Sequence, residues 1–447
     1  MKLTKTLLLS TIVSALGGFL FGFDTAVISG TTDALKSVFD LSSNGLGFTV
    51  SSAIIGTFIG AFAVGKPADT YGRKNVLFIL AILYLVSALG SAMAWDWISF
   101  IAFRFLGGLA VGGASVVSPT YIAEISPARL RGRLVAITQV NIVFGMLIAY
   151  LSNYYVAELV EINSWRWMFG VEAIPSVMFF LLLFFIPMSP RWLMSKKREE
   201  EAIKVLTRCG AEHVDAEIGE IRASLDLEHH SKNEPFFSKA YRFPIFLAIM
   251  IAMFNQLSGI NAVLYYAPHI FRMAGAGEGS SLLQSIAVGG TFLIFTVLAL
   301  PVIDRFGRKT LMVFGSIGYV VSLATIAIVF YVYGTDFDDV GGTIVLVGIL
   351  VFIASHAFGQ GTVIWVFLSE IFPNRIRARG QALGSFTHWF MAFIISWTFP
   401  IIAEISGGHI FIFYAICMVG QLIWVIKVMP ETKGRSLEDI QKEFGIS

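Results

Sequence analysis

Twelve apolar runs, each long enough to cross a bilayer, set the main constraint on what this chain can fold into. They cover about 6–28, 44–65, 76–95, 98–124, 134–156, 166–187, 243–271, 282–303, 311–333, 343–371, 382–405 and 408–429. A bilayer core takes roughly 20 apolar residues per helix. Hydrophobic residues make up 56% of the chain and charged ones 14%, far from a soluble domain's balance. The length alone would suggest about three soluble domains, but these runs overrule it. The expected class is an all-α integral membrane protein, and an even number of spans leaves both termini on one side.

The basic residues choose the side. Lys2 and Lys5, Arg73 and Lys74, Arg129 to Arg133, the 188–242 segment, Arg305 to Lys309, Arg375 to Arg379 and Lys427 to Arg435 all fall on one face. The opposite loops are nearly free of them: Lys36 is one exception, while 157–164 and 334–342 carry none. The positive-inside rule makes the basic face and both termini cytoplasmic. A net charge of +2 gives no argument for nucleic acid. The first run passes through Phe23 and Val27 with no convincing A-x-A site, so it is read as a retained span rather than a signal peptide. Cys209 and Cys417 stand alone, which suggests neither a disulfide framework nor a metal site.

Two short words recur in the two halves. Glu124-Ile125-Ser126-Pro127-Ala128-Arg129-Leu130-Arg131-Gly132-Arg133 returns as Glu370-Ile371-Phe372-Pro373-Asn374-Arg375-Ile376-Arg377-Ala378-Arg379, an offset of 370 − 124 = 246. Asp69-Thr70-Tyr71-Gly72-Arg73-Lys74 returns as Asp304-Arg305-Phe306-Gly307-Arg308-Lys309, an offset of 304 − 69 = 235. Two copies of one membrane-embedded unit point to pseudo-symmetric bundles with a site between them, as in secondary transporters. The expected organisation is an N-terminal six-helix bundle over 1–187, a helical cytoplasmic linker over 188–242, a C-terminal six-helix bundle over 243–429 and a cytoplasmic tail over 430–447. Within the linker, Lys196 to Ala202 and Glu212 to Leu227 have helix-like spacing. The GxxxG pairs Gly56/Gly60 and Gly108/Gly112 are read as packing positions.

Ionisable groups inside spans are costly and mark function by default. Alternating span directions place Asp24, Arg104 and Glu172 at comparable depth. An acid facing both an arginine and another acid can be poised to take and release a proton; a fixed ion pair that sets helix packing is the alternative. The second half carries amides and aromatics instead: Asn255, Gln256 and Asn261 in span 7, Trp365 in span 10, His388 and Trp389 in span 11. Gln139 adds an amide from span 5. Amides offer donors and acceptors together, and indole faces suit the C–H face of a sugar ring. The amides could equally bond between helices, and His388 could be a satisfied structural histidine.

The ordered set of motifs resembles the sugar porter family of the major facilitator superfamily, essentially end to end. The matching stretches include Gly22 to Gly30, Asp69 to Lys74, Arg104 to Gly108, Glu124 to Arg133 and Trp165 to Phe169. Ser189 to Leu193, Asn255 to Asn261, Asp304 to Lys309, Ser369 to Pro373 and Pro430 to Gly434 extend the match. The resemblance implies that Asp24 is a proton acceptor paired with Arg104; Glu172 stands beside them as a proton-coupling candidate from its depth in span 6 alone. The resemblance implies sugar contacts at Gln139, Gln256, Asn261 and Trp365, to which Asn255, His388, Trp389, Phe21, Gly361 and Phe292 are added as candidates, and an outer gate at Tyr265 and Tyr266. It also implies a cytoplasmic charge network of Asp69, Arg73, Glu124, Arg131, Asp304, Arg308, Glu370 and Arg377. Several positions depart from the family pattern. Asn255 stands for the usual glutamine, Phe292 for asparagine, His388 for glutamine or asparagine, Met146 for a second span 5 glutamine, Thr362 for a proline, and Met188 for the glutamate of Pro-Glu-Ser-Pro-Arg.

The expected function is proton-coupled import of a hexose or pentose by alternating access. A cyclitol or polyol symporter and a proton-independent sugar facilitator are the near rivals. No cofactor beyond the coupling proton, no metal and no nucleic acid is expected; the partners are the solute and the bilayer, and the chain is expected to act as a monomer in a bacterial cytoplasmic membrane. An enzyme is disfavoured because no HExxH, P-loop or partnered nucleophile appears. A nutrient sensor is disfavoured because such a protein usually carries a long cytoplasmic tail.

Overall fold

The computed structural model describes residues 4–230, 235–373, 376–435 and 437–444, excepting the side chains of 128, 226–230, 304, 437–438 and 441. Among the described residues, twelve helices are long and apolar enough to cross a membrane. These are α1 (Lys5–Gly30), α2 (Ser43–Ala63), α3 (Arg73–Ala92), α4 (Trp97–Ile125), α5 (Arg129–Leu159), α6 (Ser164–Phe185), α7 (Lys239–Met273), α8 (Glu278–Ala299), α9 (Arg308–Tyr333), α10 (Asp339–Glu370), α11 (Arg377–Ile405) and α12 (Gly407–Lys427). The fold is all-α, with pseudo-symmetric bundles of the major facilitator type.

The chain forms two compact units. Unit 1 is bounded by Met1–Asp24, Ile55–Met146 and Arg166–Glu234. Here α3 packs on α4 and α6. The pair α2 and α4 meet backbone to backbone at their GxxxG positions: a side chain on Gly56 would come within 2.9 Å of the Leu109 nitrogen, and one on Gly112 would strike the Thr57 carbonyl. Short helices at Pro190–Ser195, Glu199–Cys209 and Val214–His230 follow α6. Their apolar side chains Trp192, Leu193, Ala202, Val205, Leu206, Cys209 and Ile218 join the core of α1, α3 and α4. The linker helices are thus docked on the unit by burial of their apolar stripe.

Unit 2 is bounded by Thr25–Ile54, Leu147–Trp165 and Pro235–Ser447. Its second-half helices pack as α9 on α10 and α12, α7 on α11, and α8 on α10. It also takes in the ends of α1, α2 and α5 that lie away from the basic loops. The Tyr150 hydroxyl donates to the Leu264 carbonyl at 2.8 Å, and the Trp397 indole N–H donates to Asn44 at 2.9 Å. On the short helix Thr32–Val38, Asp33 pairs with Arg272 at 2.6 Å, with His269 3.6 Å away.

The recurring words fold alike. Gly72 and Gly307 hold the same conformation, φ 93° with ψ 149° and φ 88° with ψ 161°, in the turns that open α3 and α9. That region is essentially reserved to glycine, so the glycine of each word is required by its turn.

Candidate functional site

In unit 1 the buried charges meet. Arg104 Nη1 donates to Asp24 Oδ1 at 2.5 Å, and Nη2 donates to Oδ2 at 3.2 Å and to the Asp24 carbonyl at 3.3 Å. This two-pronged geometry matches an ionised carboxylate. The Arg104 guanidinium also sits 5.3 Å above the Phe169 ring. Arg104 Nε is buried without a hydrogen-bond partner among the described residues.

Glu172 interrupts α6, standing between the helices Ser164–Val171 and Ala173–Leu182. It is fully buried, and neither carboxylate oxygen has a hydrogen-bond partner among the described residues. It lies within electrostatic reach of both Asp24 and Arg104, and Tyr84 of α3 lies within reach of both acids. A side chain on Gly107 would come 3.3 Å from Asp24 Oδ1 and strike Ser87 Oγ, so glycine leaves room for the carboxylate. Two acids and one arginine in this small space hold charge for one ion pair and leave an acid over. Gln139 and Phe21 are half-buried in the same unit.

In unit 2 the polar groups gather where two helices break. Span α7 is two helices, Arg242–Leu257 and Ile260–Met273, meeting at Ser258 and Gly259, the latter at φ +84°. Span α10 is likewise Asp339–Phe358 and Gln360–Glu370, meeting at Gly359. Broken spans expose backbone and side-chain polar groups at mid-membrane, where transporters build solute sites. The Gln256 amide nitrogen donates to Asn255 Oδ1 at 3.1 Å and lies 3.2 and 3.3 Å from the two ring nitrogens of His388. Gln256 Oε1 is buried with no hydrogen-bond partner among the described residues. His388 lies against Trp365, ring centroids 5.2 Å apart, and edge-on to Trp389 at 5.0 Å. Asn261 is 9% exposed and begins the second half of α7.

Phe292 packs edge-on against His356, centroids 5.8 Å apart, and Gly361 faces the same imidazole. Sequence reasoning passed over His356, although an ionisable residue inside an apolar run is a signal in itself. Tyr265 and Tyr266 are buried. The Tyr266 hydroxyl donates to the Ser396 carbonyl at 3.0 Å, and its ring stacks on Phe399.

The cytoplasmic words pair internally. In unit 1, Arg73 binds Glu124 at 2.9 Å and Asp69 at 2.9 Å, and Ser189 donates to Glu124. In unit 2, Arg308 binds Glu370 at 2.7 Å, and Thr432 donates to Glu370 at 2.6 Å. Lys74 caps the Ile186 carbonyl at 2.7 Å, as Lys309 caps that of Ile426 at 3.0 Å. Arg131 and Arg377 donate to the carbonyls of Ala123 and Phe372. The side chain of Asp304 lies outside the described residues, as do Asn374 and Arg375.

A family model described as "Sugar (and other) transporter" matches residues 10–444. The chain belongs to the sugar porter family of the major facilitator superfamily. It is 37% identical to the D-xylose-proton symporter of Escherichia coli K12, over 96% of this chain and 94% of that one. It is 36% identical to the arabinose-proton symporter of Bacillus subtilis, over 97% and 94% respectively. Among solved structures, the E. coli xylose transporter in a partially occluded, inward-open conformation superposes with a TM-score of 0.86 at 36% identity, covering 97% of this chain and 100% of that one. The chain is a transporter of the sugar porter type, not an enzyme, and a multi-pass protein of the cytoplasmic membrane.

Proposed function

We propose that this protein imports a monosaccharide together with a proton, by alternating access, as a single chain with cytoplasmic termini. The observation that carries the reading is the Asp24–Arg104 pair beside Glu172, whose carboxylate has no hydrogen-bond partner among the described residues. Asp24 holds Arg104 while ionised. Proton uptake by Asp24 cancels that attraction and frees the guanidinium for Glu172, the other acid within its reach. A buried ion pair that exchanges partners in this way has two states, which is what coupling to a conformational change needs. The named relatives that carry protons with xylose or arabinose support the same reading.

The solute binds to Gln256, Asn255, Asn261 and His388, with Trp365 and Trp389 against its C–H face. Gln256 Oε1, buried and without a partner among the described residues, is an acceptor that suits a solute hydroxyl. The Asp33–Arg272 pair, Tyr150–Leu264 and Trp397–Asn44 hold the outer side closed. The Arg73–Glu124 and Arg308–Glu370 pairs form the cytoplasmic charge network. The test is uptake of labelled xylose, arabinose and glucose into proteoliposomes under an imposed pH gradient. Accumulation that needs the gradient is the expected result, and accumulation indifferent to it would overturn the coupling.

A further inference from the structure

A chain of buried amides in unit 2 ties the second half of α10 to two other helices. The break at Gly359 lies against α9: a side chain on Gly359 would come 3.0 Å from the Gly315 Cα, and one on Gly315 would come 2.9 Å from the Gly359 Cα. Gln360, the first residue past the break, is fully buried. Its side-chain nitrogen donates to Gln421 Oε1 of α12. Gln421 is fully buried too, and its Nε2 donates to Ser316 Oγ of α9 at 2.8 Å. Ser316 in turn donates to the Met312 carbonyl at 2.6 Å. A serine has one hydroxyl hydrogen, so Ser316, having given it to Met312, accepts from Gln421. The Gln421 oxygen is thereby turned to Gln360, and the bonds run in one direction from α10 through α12 to α9.

The segment held in this way carries part of the solute site. Trp365 lies on the same short helix, Gln360–Glu370. Its ring centroid is 5.2 Å from that of His388, which lies against the Gln256 amide. Because α10 is broken at Gly359, its first half does not by itself fix the direction of its second. The Thr362 hydroxyl tethers the two halves locally through the Ala357 carbonyl. Gln360 and Glu370, at opposite ends of the segment, tie it to neighbouring helices, the first through Gln421 and the second through Arg308.

We propose that Gln421 is a positioning residue for sugar binding, which through Gln360 sets the angle of the second half of α10 and so the place of the Trp365 indole. The inference deepens the sugar-transport reading and rests on it. One interhelical hydrogen bond inside a membrane adds little stability on average. It does fix a distance and an angle, and a binding site loses its fit when its supporting groups are loose. Gln421 therefore acts on affinity for the solute more than on folding, although it stands on a helix that contributes none of the proposed solute contacts.

The experiment measures KM and maximum rate of sugar uptake in proteoliposomes, with thermal unfolding of each full-length variant alongside. Gln421→Met keeps the side chain's length and loses both bonds. Its KM should rise about three- to tenfold, the scale of one hydrogen bond of ordinary net worth, with a smaller change in maximum rate. Gln360→Met breaks the same bond from the other side and should give a like rise, and the two together little more than either alone. Added to Trp365→Leu, Gln421→Met should raise KM little further, because both act on one contact. Ser316→Ala removes the partner that orients Gln421; it should raise KM by less, and it serves if neither methionine variant folds. An unchanged KM in the folded variants, or a Gln421→Met effect that adds in full to that of Trp365→Leu, would overturn the role of Gln421. Absence of any sugar uptake by the unmodified protein would instead refute the transport reading beneath it.

Discussion

The two halves of the molecule share one construction at their cytoplasmic ends and diverge in the membrane interior. At the inner ends, arginine binds glutamate, a serine or threonine hydroxyl backs the glutamate, and lysine caps a carbonyl, in both copies. In the interior, unit 1 holds Asp24, Arg104 and Glu172, whereas unit 2 holds amides, imidazoles and indoles. The two halves repeat one frame at their inner ends, and on the proposed reading their interiors serve different tasks, one the proton and the other a neutral hydroxylated solute.

The strongest way to break this division is Arg104→Leu. It leaves two buried acids without their counter-ion, and removing one partner of a buried pair costs about 3–5 kcal/mol. Thermal unfolding in detergent should show a large loss, with uptake abolished. If Arg104→Leu is as stable as the unmodified protein, Arg104 is not the counter-ion of the unit 1 acids. Next in size is Gln256→Leu, which strips donors from Asn255 and His388. Its KM for sugar should rise about tenfold or more, while the protein's response to the pH gradient remains. Loss of gradient dependence in that variant would contradict the assignment of separate tasks.

Much of the fold and part of the site were legible in the sequence. The spans follow from apolar length, and each observed helix lies within a few residues of its predicted run. Asp24 and Arg104 stood out because charge inside an apolar run has few places to go. Other features depend on which helix faces meet, and no local pattern encodes that. His356 and Tyr319 are 37 residues apart and become partners only because α9 packs on α10. The break at Gly359 was equally invisible, since a glycine inside an apolar run also suits an unbroken helix in a membrane. The pairing of Arg73 with Glu124 rather than only with its neighbour Asp69 is set by α3 meeting α4.

Smaller effects sharpen the comparison. Asp33 holds Arg272 on the outer side of unit 2. Burial pushes its carboxyl up, but the His269 hydrogen bond and the Arg272, His269 and Lys36 charges outweigh that and hold it below the usual range. A depressed carboxyl contributes fully above its ordinary value and less as pH falls through the lowered one. Asp33→Asn should therefore weaken outer closure wherever the carboxylate is ionised, and the difference from the unmodified protein should fade below about pH 4. Half its side chain is exposed, so about 0.2–1 kcal/mol is expected, measured as a shift in transport KM against external pH.

The smallest effect concerns a place where the two inner ends differ. Glu431 accepts from the backbone N–H groups of Arg308 and Lys309 at 3.0 Å each, capping the start of α9. Met188 occupies the matching place beside α3. Met188→Glu should supply the missing cap and raise stability by about 0.3–1 kcal/mol, seen as a small rise in Tm. No rise would show that the two ends are less alike than their shared ion pairs suggest.

The measurement that bears most directly on the division of labour is sugar uptake by Asp24→Asn in proteoliposomes, with and without an inward proton gradient. The account predicts that the variant still exchanges labelled for unlabelled sugar but no longer accumulates it against a gradient. Accumulation by Asp24→Asn to the level of the unmodified protein would contradict it.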